Sequence, residues 1–372
     1  MRICHLIYDD VANPWLGGGG AVRVREVYSR LANRHAVTVI TGRFPGARAE
    51  EVRDGVCFQR VGTDRGYAVS RLGYCLGAVP RLRQVPWDVW VNEFSPFAPL
   101  RVPAVVRRRG LLLLHHFVGR HALWKHPVVG WAAWLAERRA LRGFRHVLTG
   151  APSVQREIER RLRGRPVTVH CVGNGVARRY FELQPAEDPY ILYFGRVDIH
   201  TKGLDLLLDA FARIAGEHPE VGLRIAGRPT GSQSGQLARL VAGTGVAERI
   251  RLEGAVDEPA KCELLRRALF VCMPSRYEGW GIVAVEGAAA SKAVLGTRIP
   301  GLADAVQDGA TGLLVAPGDA QALAAGMRVL LGDPAGRQRM GQEGRRWARR
   351  FNWDELARQQ EEVYAAVLQE RA

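Results

Sequence analysis

The stretch YILYFGRVDIHTKGLDLLLDAFARI, residues 190–214, contains an apolar run, a glycine and then a helical pattern. Tyr190 to Phe194 form a short apolar run that ends at Gly195, as expected of a buried strand in a parallel sheet. Apolar residues then recur at helical spacing, at Leu204, Leu207, Leu208, Phe211 and Ile214. The stretch therefore predicts one strand, one loop and one helix of a parallel α/β sheet.

The same order of elements occurs on both sides of a breaker-rich segment, QPAEDP, at residues 184–189. In the first half, the glycine loop GGGG at 17–20 separates a strand-like run from a helix-like one, which the strand-like AVTVIT follows. Further strand candidates of this half are 56–61, 89–91 and 111–114. In the second half, VGLRIAG, IRLEG and LFVCMPS supply three further strands. We predict an α/β protein of two Rossmann-like, doubly wound domains that face one another across a cleft. The predicted domains span residues 1–180 and 181–351. Ligands of such sheets bind outside the carboxyl ends of the strands.

The composition is typical of a globular protein, with one unusual feature, a net charge of +16 in 372 residues. Paired and tripled arginines carry much of this charge. Anionic partners such as nucleotide phosphates or an acidic membrane surface would suit it, as would an ordinary solvated surface. No zinc-finger spacing or aromatic RNA-binding motif accompanies the charge, so we do not expect a nucleic-acid partner.

Six scattered cysteines without a CxxC pair indicate buried thiols in a reducing compartment. The N-terminal apolar run is too short for a signal peptide. The longest largely apolar segment, 127–136, is much shorter than the ~20 residues that span a bilayer. We expect a cytoplasmic protein. Its basic charge would suit binding at the inner face of the membrane.

Two basic residues follow the strand at 190–194, in the loop GRVDIHTKG. Arg196 offers a planar guanidinium fork and Lys202 a compact point charge, so together they would be able to grip a diphosphate from two directions. The alternative interpretation is two exposed basic residues in a loop.

Two carboxylates stand eight positions apart in SRYEGWGIVAVEGAAASKAVLG, residues 275–296. The pattern predicts a strand before this stretch, a loop, and a helix from Gly281, whose free N–H groups would attract an anion. Glu278 precedes the helix and Glu286 lies more than a turn inside it. At ~1.5 Å per residue, they would contact two ends of an elongated ligand rather than one atom. An exposed helix-surface role for Glu286 is the alternative, but the small residues at 288–290 favour close packing.

Six landmarks follow one another along the chain: the glycine loop, LLLLHH, VGNGV, the GR…KG loop, two glutamates separated by seven residues (E-x7-E) and PGLADAVQDGATGLLVAPGD. Taken in this order, they resemble the pattern of the retaining glycosyltransferases of family GT4, the glycogen-synthase-like group with the GT-B fold. The tail FNWDELARQQEEVYAAVL, residues 351–368, is similar to the family's closing helix, which we expect over 352–372 and which returns to the first domain. The resemblance implies an enzyme that transfers a sugar, with retention, from a nucleotide-diphosphate sugar of UDP or GDP type to a hydroxyl acceptor.

The resemblance also implies roles for the residues of the second half. Arg196 and Lys202 would neutralise the diphosphate of the donor, Glu278 would hold hydroxyls of the transferred sugar, and Glu286 would hold the ribose hydroxyls. The helix start expected to contact the donor consists of Gly281, Ile282 and Val283.

In the first half, the resemblance implies that Gly19 and Gly20 let backbone amides approach the distal phosphate. It also places a histidine beside the reacting sugar. The chain has two adjacent candidates, and in an alternating strand only one of them would point into the cleft. We favour His115 over His116.

The chain departs from the family pattern at two positions of the second half. Asp304 stands where a glutamate is usual, and Trp280 replaces a smaller apolar residue, which would tighten the sugar pocket. No D-x-D triplet occurs, so we predict no metal site and no cofactor other than the donor as co-substrate.

Three other functions fit parts of the pattern. A sugar-nucleotide 2-epimerase would share the architecture, and a non-catalytic nucleotide-sugar binding protein would keep the fold. An NAD-dependent dehydrogenase would need G-x-G-x-x-G and an acidic residue after the second strand, where Thr41-Gly42-Arg43 stands.

The acceptor is not identified by any motif. The segment 124–145 mixes tryptophans with arginines and would suit an anionic membrane. Packing would also explain the tryptophans. We favour a soluble natural-product or sugar acceptor over a lipid-linked glycan.

Overall fold

The computed structural model describes residues 1–95, 102–107, 109–117, 127–228 and 233–370. The chain divides into two compact units. The first consists of Met1–Asn174 with Trp353–Ala372, and the second of Gly175–Asn352.

The first unit is built on an eight-stranded sheet of order β3-β4-β2-β1-β5-β6-β7-β8. Neighbouring strands are parallel except for the antiparallel pair β3 and β4. The strands are β1 (Arg2–Leu6), β2 (Ala36–Gly42), β3 (Glu50–Arg53), β4 (Val56–Val61), β5 (Val89–Glu93), β6 (Gly110–Leu113), β7 (His146–Thr149) and β8 (Thr168–Cys171). The helices are α1 (Gly19–Leu31), α2 (Tyr67–Gln84), α3 (Ala104–Arg107), α4 (Pro127–Gly143) and α5 (Pro152–Arg161).

The second unit is built on a six-stranded, wholly parallel sheet of order β11-β10-β9-β12-β13-β14. Its strands are β9 (Tyr190–Phe194), β10 (Gly222–Ala226), β11 (Ile250–Gly254), β12 (Phe270–Met273), β13 (Val294–Thr297) and β14 (Gly312–Val315). Its helices are α6 (Arg178–Phe181), α7 (Ile199–Lys202), α8 (Leu204–Ala215), α9 (Gln233–Ala242), α10 (Glu258–Arg267), α11 (Ile282–Ala289), α12 (Pro300–Ala305), α13 (Ala320–Gly332) and α14 (Pro334–Ala348), with a 3₁₀ turn at Ala247–Arg249.

The last helix, α15 (Trp353–Gln369), belongs to the first unit. Its apolar face joins the core that surrounds β1 and β5, through Trp353, Leu356, Ala357, Tyr364 and Val367. The helix therefore completes a hydrophobic layer whose other residues lie more than 180 positions earlier in the chain.

The two Rossmann-like units confirm the predicted fold class. The five residues at helical spacing in 204–214 are buried in the core of the second unit, as the pattern predicted. Five short strands were not predicted. The strand β3 is polar and alternates between exposed and partly buried positions, because it lies at the edge of the sheet beside β4. The strands β7, β8, β13 and β14 each contain four residues.

In each unit the strand order reverses beside the first strand. In the second unit, β9 lies between β10 and β12, so the loops that follow β9 and β12 leave the sheet as neighbours. In the first unit, β1 lies between β2 and β5. Such a reversal leaves a crevice at the carboxyl ends of the strands, where ligands of this class of sheet bind.

Among the described residues, no helix is both long and apolar enough to cross a membrane. All six cysteines are free thiols. Three of them are buried and three are partly exposed, so the prediction of burial is right for Cys4, Cys75 and Cys272 and wrong for Cys57, Cys171 and Cys262. The last three lie on strands or a helix near the surface of their units.

Candidate functional site

The loop after β9 is held in shape by caps at both ends of the short helix α7. Asp198 caps its start by accepting a hydrogen bond from the N–H of Thr201 at 3.1 Å. Gly203 ends it in the left-handed conformation, with φ of 67°. A Cβ atom there would lie 2.1 Å from the carbonyl oxygen of Pro274, so the close approach of the β12 loop also requires glycine.

The two predicted cations of this loop have different surroundings. Lys202 donates a hydrogen bond to Oε2 of Glu278 at 2.6 Å, and both side chains are mostly buried. Arg196 is exposed, and its guanidinium forms no ion pair within the described residues. The structure thus places Lys202 and Glu278 in one ion pair and leaves Arg196 open to an anion.

The loop that carries Glu278 is attached to the β9 loop by backbone and side-chain bonds. The carbonyl of Thr201 accepts from the N–H groups of Arg276 and Tyr277 at 3.0 and 3.2 Å. The guanidinium of Arg276 pairs with both carboxylate oxygens of Asp205 at 2.7 Å. These contacts fix the two loops as one surface, since a bidentate pair restricts orientation as well as distance.

The helix α11 begins as the sequence predicted. Gly281 precedes it with φ of 78°, and no side chain caps this end. The N–H of Ala284 bonds to the carbonyl of Gly281 at 2.9 Å, whereas the described residues give the N–H groups of Ile282 and Val283 no acceptor. Unpaired N–H groups at a helix start attract anions.

The second carboxylate of the motif, Glu286, is buried inside the second unit, with 8% of its surface exposed. Its Oε1 accepts a hydrogen bond from Nζ of Lys261 at 2.7 Å. Its Oε2 is buried and has no hydrogen-bond partner in the part of the chain that the structure describes. The alternative of an exposed helix-surface glutamate is therefore wrong, and one oxygen is left to accept a further donor.

Lys261 was not singled out from the sequence. It lies on α10, and only 7% of its surface is exposed. Its ammonium lies 4.7 Å from the ring centroid of Phe194 and 5.1 Å from that of Tyr180. The two rings and Glu286 together compensate for the burial of this charge. No local pattern marks Lys261, because its partner lies 25 positions later on another helix.

The two departures from the family pattern lie on segments that follow Glu278 in the chain. Trp280 is buried, with its ring against Phe351 at a centroid distance of 4.9 Å, so it packs in the core. The expected tightening of the sugar pocket by this side chain is therefore not supported. Asp304 lies on α12, whose Gly301 approaches the backbone of Glu278 so closely that a Cβ would lie 2.2 Å from the Glu278 carbonyl oxygen.

In the first unit, the glycine loop is organised by Asp9. Its carboxylate accepts from the N–H groups of Gly17 and Gly18, at 3.0 and 2.7 Å. Burial raises the pKa of Asp9, against the effect of these backbone bonds. The N–H groups of Gly19 and Gly20, at the start of α1, have no acceptor among the described residues. These two amides are the ones predicted to approach a phosphate.

Gly20 lies directly against Glu93, the last residue of β5. A Cβ at this position would lie 2.4 Å from Oε1 of Glu93 and 3.5 Å from Nε2 of His115. The glycine is thus required by a buried carboxylate, in addition to any ligand that the loop binds. Glu93 was not predicted, since it reads only as the end of a strand.

His115 and His116 both follow β6 in a bend rather than lying within the strand. Nε2 of His115 lies 3.1 Å from Oε1 of Glu93, whereas His116 is exposed. The structure therefore brings His115 together with the end of β5 and the start of α1.

Two family models match the chain. Residues 178–347 match glycosyl transferases group 1, and residues 18–175 match the glycosyl transferase 4-like domain. No group of three or more His, Cys, Asp or Glu side chains suited to a metal ion occurs within the described residues.

Similar proteins are known both by sequence and by structure. The chain is 32% identical over 257 residues to glycogen synthase of Mycobacterium tuberculosis (strain CDC 1551 / Oshkosh), an alignment that covers 67% of this chain and 61% of that protein. The fold is similar to sucrose-phosphate synthase from Thermosynechococcus elongatus, with a TM-score of 0.85, 22% identity and 99% of each chain covered. It is also similar to Anabaena HepE in complex with UDP and glucose, with a TM-score of 0.76, 18% identity, and 98% of this chain and 100% of that chain covered.

The two family models lie one after the other and together extend from residue 18 to residue 347. Their order matches the order of the two Rossmann-like units. The chain belongs to the glycogen-synthase-like glycosyltransferases of family GT4, which have the GT-B fold.

Proposed function

We propose that the protein is a retaining glycosyltransferase that moves a sugar from a nucleotide-diphosphate sugar to a hydroxyl acceptor. The observation that carries this proposal is the Lys202–Glu278 pair beside the exposed Arg196, at the ends of the adjacent strands β9 and β12. Cations suit a diphosphate, and a carboxylate suits the hydroxyls of the sugar attached to it. Lys202 has three N–H donors, so its bond to Glu278 leaves two for phosphate oxygens.

The chemistry follows from where charge develops. As the bond between C1 of the sugar and the phosphate oxygen breaks, negative charge builds on the diphosphate. Arg196, Lys202 and the free N–H groups at the start of α11 oppose that charge. The acceptor hydroxyl attacks C1 on the face that the diphosphate leaves, which retains the configuration. The departing phosphate oxygen takes the hydroxyl proton, so the proposed step needs neither a side-chain nucleophile nor a divalent metal.

The nucleoside would be held by Glu286. Its Oε1 is occupied by Lys261, and its buried Oε2 has no partner among the described residues, so this oxygen would accept a hydrogen bond from a ribose hydroxyl. We propose a donor of UDP or GDP type. The similar Anabaena protein binds UDP and glucose, in support of the former.

A panel of UDP and GDP sugars in a thermal-shift assay tests the donor. A ligand at 100 times its Kd stabilises a protein by about 2.7 kcal/mol, so the donor should raise the melting temperature clearly above the other sugars. Product analysis with and without an acceptor should follow. A 2-epimer of the donor sugar formed without acceptor would establish the epimerase alternative, and no stabilisation by any nucleotide sugar would contradict the proposal.

We propose that helix α4 contacts an anionic membrane. Residues 124–126 of the basic segment lie outside the described residues, but α4 itself has a distinct outer face. Trp131 is 59% exposed, and Leu135, Arg138 and Arg142 are exposed on the following turns. Packing therefore does not explain Trp131, although Trp134 contacts it at a ring distance of 5.1 Å. Exposed aromatic and aliphatic side chains beside arginines are typical of helices that lie in a membrane interface.

A further inference from the structure

The first unit holds a carboxylate between two imidazoles. The side chain of Glu93 is nine-tenths buried, with 10% exposed. Its Oε2 lies 3.2 Å from Nε2 of His5, which is on β1, and its Oε1 lies 3.1 Å from Nε2 of His115, which follows β6. A single side chain on β5 therefore contacts one histidine on the neighbouring strand β1 and one in the bend that follows the neighbouring strand β6.

Behind His5, a chain of buried polar groups continues to the C-terminal helix. Nδ1 of His5 lies 2.7 Å from the hydroxyl of Tyr28, which lies 2.8 Å from the hydroxyl of Tyr364. The hydroxyl of Tyr364 accepts from the amide nitrogen of Gln360, and the amide oxygen of Gln360 accepts from Arg23. Since a guanidinium can only donate, Arg23 fixes which end of the Gln360 amide faces it.

With a neutral His5 ring and an ionised Glu93, one assignment of hydrogens satisfies every contact in this chain. Gln360 donates to Tyr364, Tyr364 donates to Tyr28, and Tyr28 donates to Nδ1 of His5. His5 must then carry its hydrogen on Nε2 and donate it to Glu93. Burial raises the pKa of Tyr28 and lowers the pKa of His5, so the hydroxyl stays protonated and this imidazole stays neutral.

Since Oε2 of Glu93 accepts from His5, Oε1 is left to contact His115. Burial alone would raise the pKa of Glu93, but the contacts with the imidazoles of His115 and His5 outweigh it and hold that pKa below its usual range. An ionised carboxylate only accepts hydrogen bonds, and a histidine beside it takes the tautomer with N–H toward it. For His115 that is the Nε2–H tautomer, which leaves the lone pair on Nδ1.

We propose that Glu93 is a positioning residue for sugar transfer, which holds His115 in one orientation and one tautomer while His5 holds Glu93. The proposal rests on the proposed function, in which His115 lies beside the reacting sugar. The side chain of His115 is 23% exposed. Its buried Nε2 lies 3.1 Å from Oε1 of Glu93, in a contact whose geometry falls short of a hydrogen bond, and it has no other partner within the described residues. A partner that orients a functional imidazole through its second nitrogen is a common arrangement in enzymes.

The Glu93→Gln variant tests the proposal, because this substitution hardly changes the volume of the side chain. An amide has one acceptor oxygen, so it can serve the N–H of only one of the two histidines. We expect kcat to fall roughly 10–100-fold, while KM for the donor changes by less than about threefold. The matched control is Glu361→Gln, which breaks another Glu–His pair of the first unit, at 2.7 Å from His35, and should leave both constants unchanged. An unchanged kcat in Glu93→Gln would overturn the proposal.

A spectroscopic measurement on the resting protein gives an independent result. Nitrogen-15 NMR of the histidine rings, with His115 assigned by a His115→Gln variant, should show the hydrogen on Nε2. In Glu93→Gln, a mixture of tautomers is expected. A hydrogen on Nδ1 alone in the unaltered protein would contradict the proposal, even if Glu93→Gln failed to fold. The measurement needs no donor, so failure of every nucleotide sugar to react would contradict the proposed function without deciding the role of Glu93.

Discussion

Lys261 and Glu286 form an ion pair of 2.7 Å between two helices of the second unit, and both side chains are about nine-tenths buried. The pair satisfies only one oxygen of the carboxylate, because Oε2 has no partner among the described residues. An unsatisfied buried acceptor costs free energy, and a ligand hydroxyl that reaches it would recover that cost. The two carboxylates of the motif therefore have different environments, since Glu286 is buried beside Lys261 whereas Glu278 pairs with Lys202.

Glu286→Gln should weaken binding of the bare nucleoside diphosphate. The loss of one hydrogen bond to a charged group is worth about 1–3 kcal/mol, which corresponds to roughly 5–150-fold in Kd. Isothermal titration calorimetry with UDP and GDP measures it. Glu278→Gln is the matched control, since it removes the carboxylate charge that pairs with Lys202. In this variant the affinity for the nucleoside diphosphate should be at least as strong as in the unaltered protein, while sugar transfer should be impaired. Equal losses of affinity in the two variants would contradict this division.

Lys261→Met should destabilise the second unit, because it leaves the Glu286 carboxylate buried without its cation. Breaking a buried pair from one side costs about 3–5 kcal/mol. The double variant Lys261→Met with Glu286→Gln should recover part of this loss, since no unpaired charge remains. Urea denaturation of the three variants and the unaltered protein measures the coupling. A double variant less stable than Lys261→Met alone would show that the ion pair is not the source of the effect.

The contrast between Glu286 and Lys261 shows what the sequence can predict. The strand β9, the loop after it and the start of α11 are continuous in the chain, so apolar runs, glycines and helical spacing identify them. Lys261 is brought to Glu286 only when α10 and α11 pack beside the same sheet. Glu93 was missed for the same reason, because one histidine partner lies on β1 and the other follows β6.

Arg196→Ala should abolish transfer and leave the fold intact. The side chain is exposed, and the described residues give it no ion pair, so its removal disturbs no packed contact. Lys202→Ala should also abolish transfer. Rates from a coupled assay for the released nucleoside diphosphate, together with melting curves, separate the two effects. Arg213→Ala, which removes an exposed arginine paired with Asp209 on α8, is the control and should keep full activity. Turnover near that of the unaltered protein in Arg196→Ala would remove this residue from the diphosphate site.

The stability of the protein should fall as the pH decreases from about 6.5 to 5. Burial lowers the pKa of His5 in the folded state, so protons bind this ring mainly after unfolding. Below the ordinary histidine pKa of about 6.5, the unfolded state takes up the proton and is favoured, by at most about 1.4 kcal/mol per pH unit for one site. His5→Gln should show a shallower dependence in urea denaturation. Burial also lowers the pKa of His170. The His170→Gln variant therefore measures how much this residue contributes to the pH dependence of stability.

The outer face of α4 makes membrane contact testable by salt. If the proposed contact exists, the protein should co-sediment with vesicles of anionic lipid at low ionic strength. It should dissociate from them as salt is added, because exposed charges are screened beyond ~8 Å at physiological ionic strength. Changing Arg138, Arg139 and Arg142 together to Gln should lower vesicle affinity and leave donor binding unchanged. Changing three exposed arginines elsewhere, Arg213, Arg328 and Arg358, removes the same charge and should have a smaller effect. If no vesicle binding occurs at low salt, the contact is absent and a soluble acceptor is favoured.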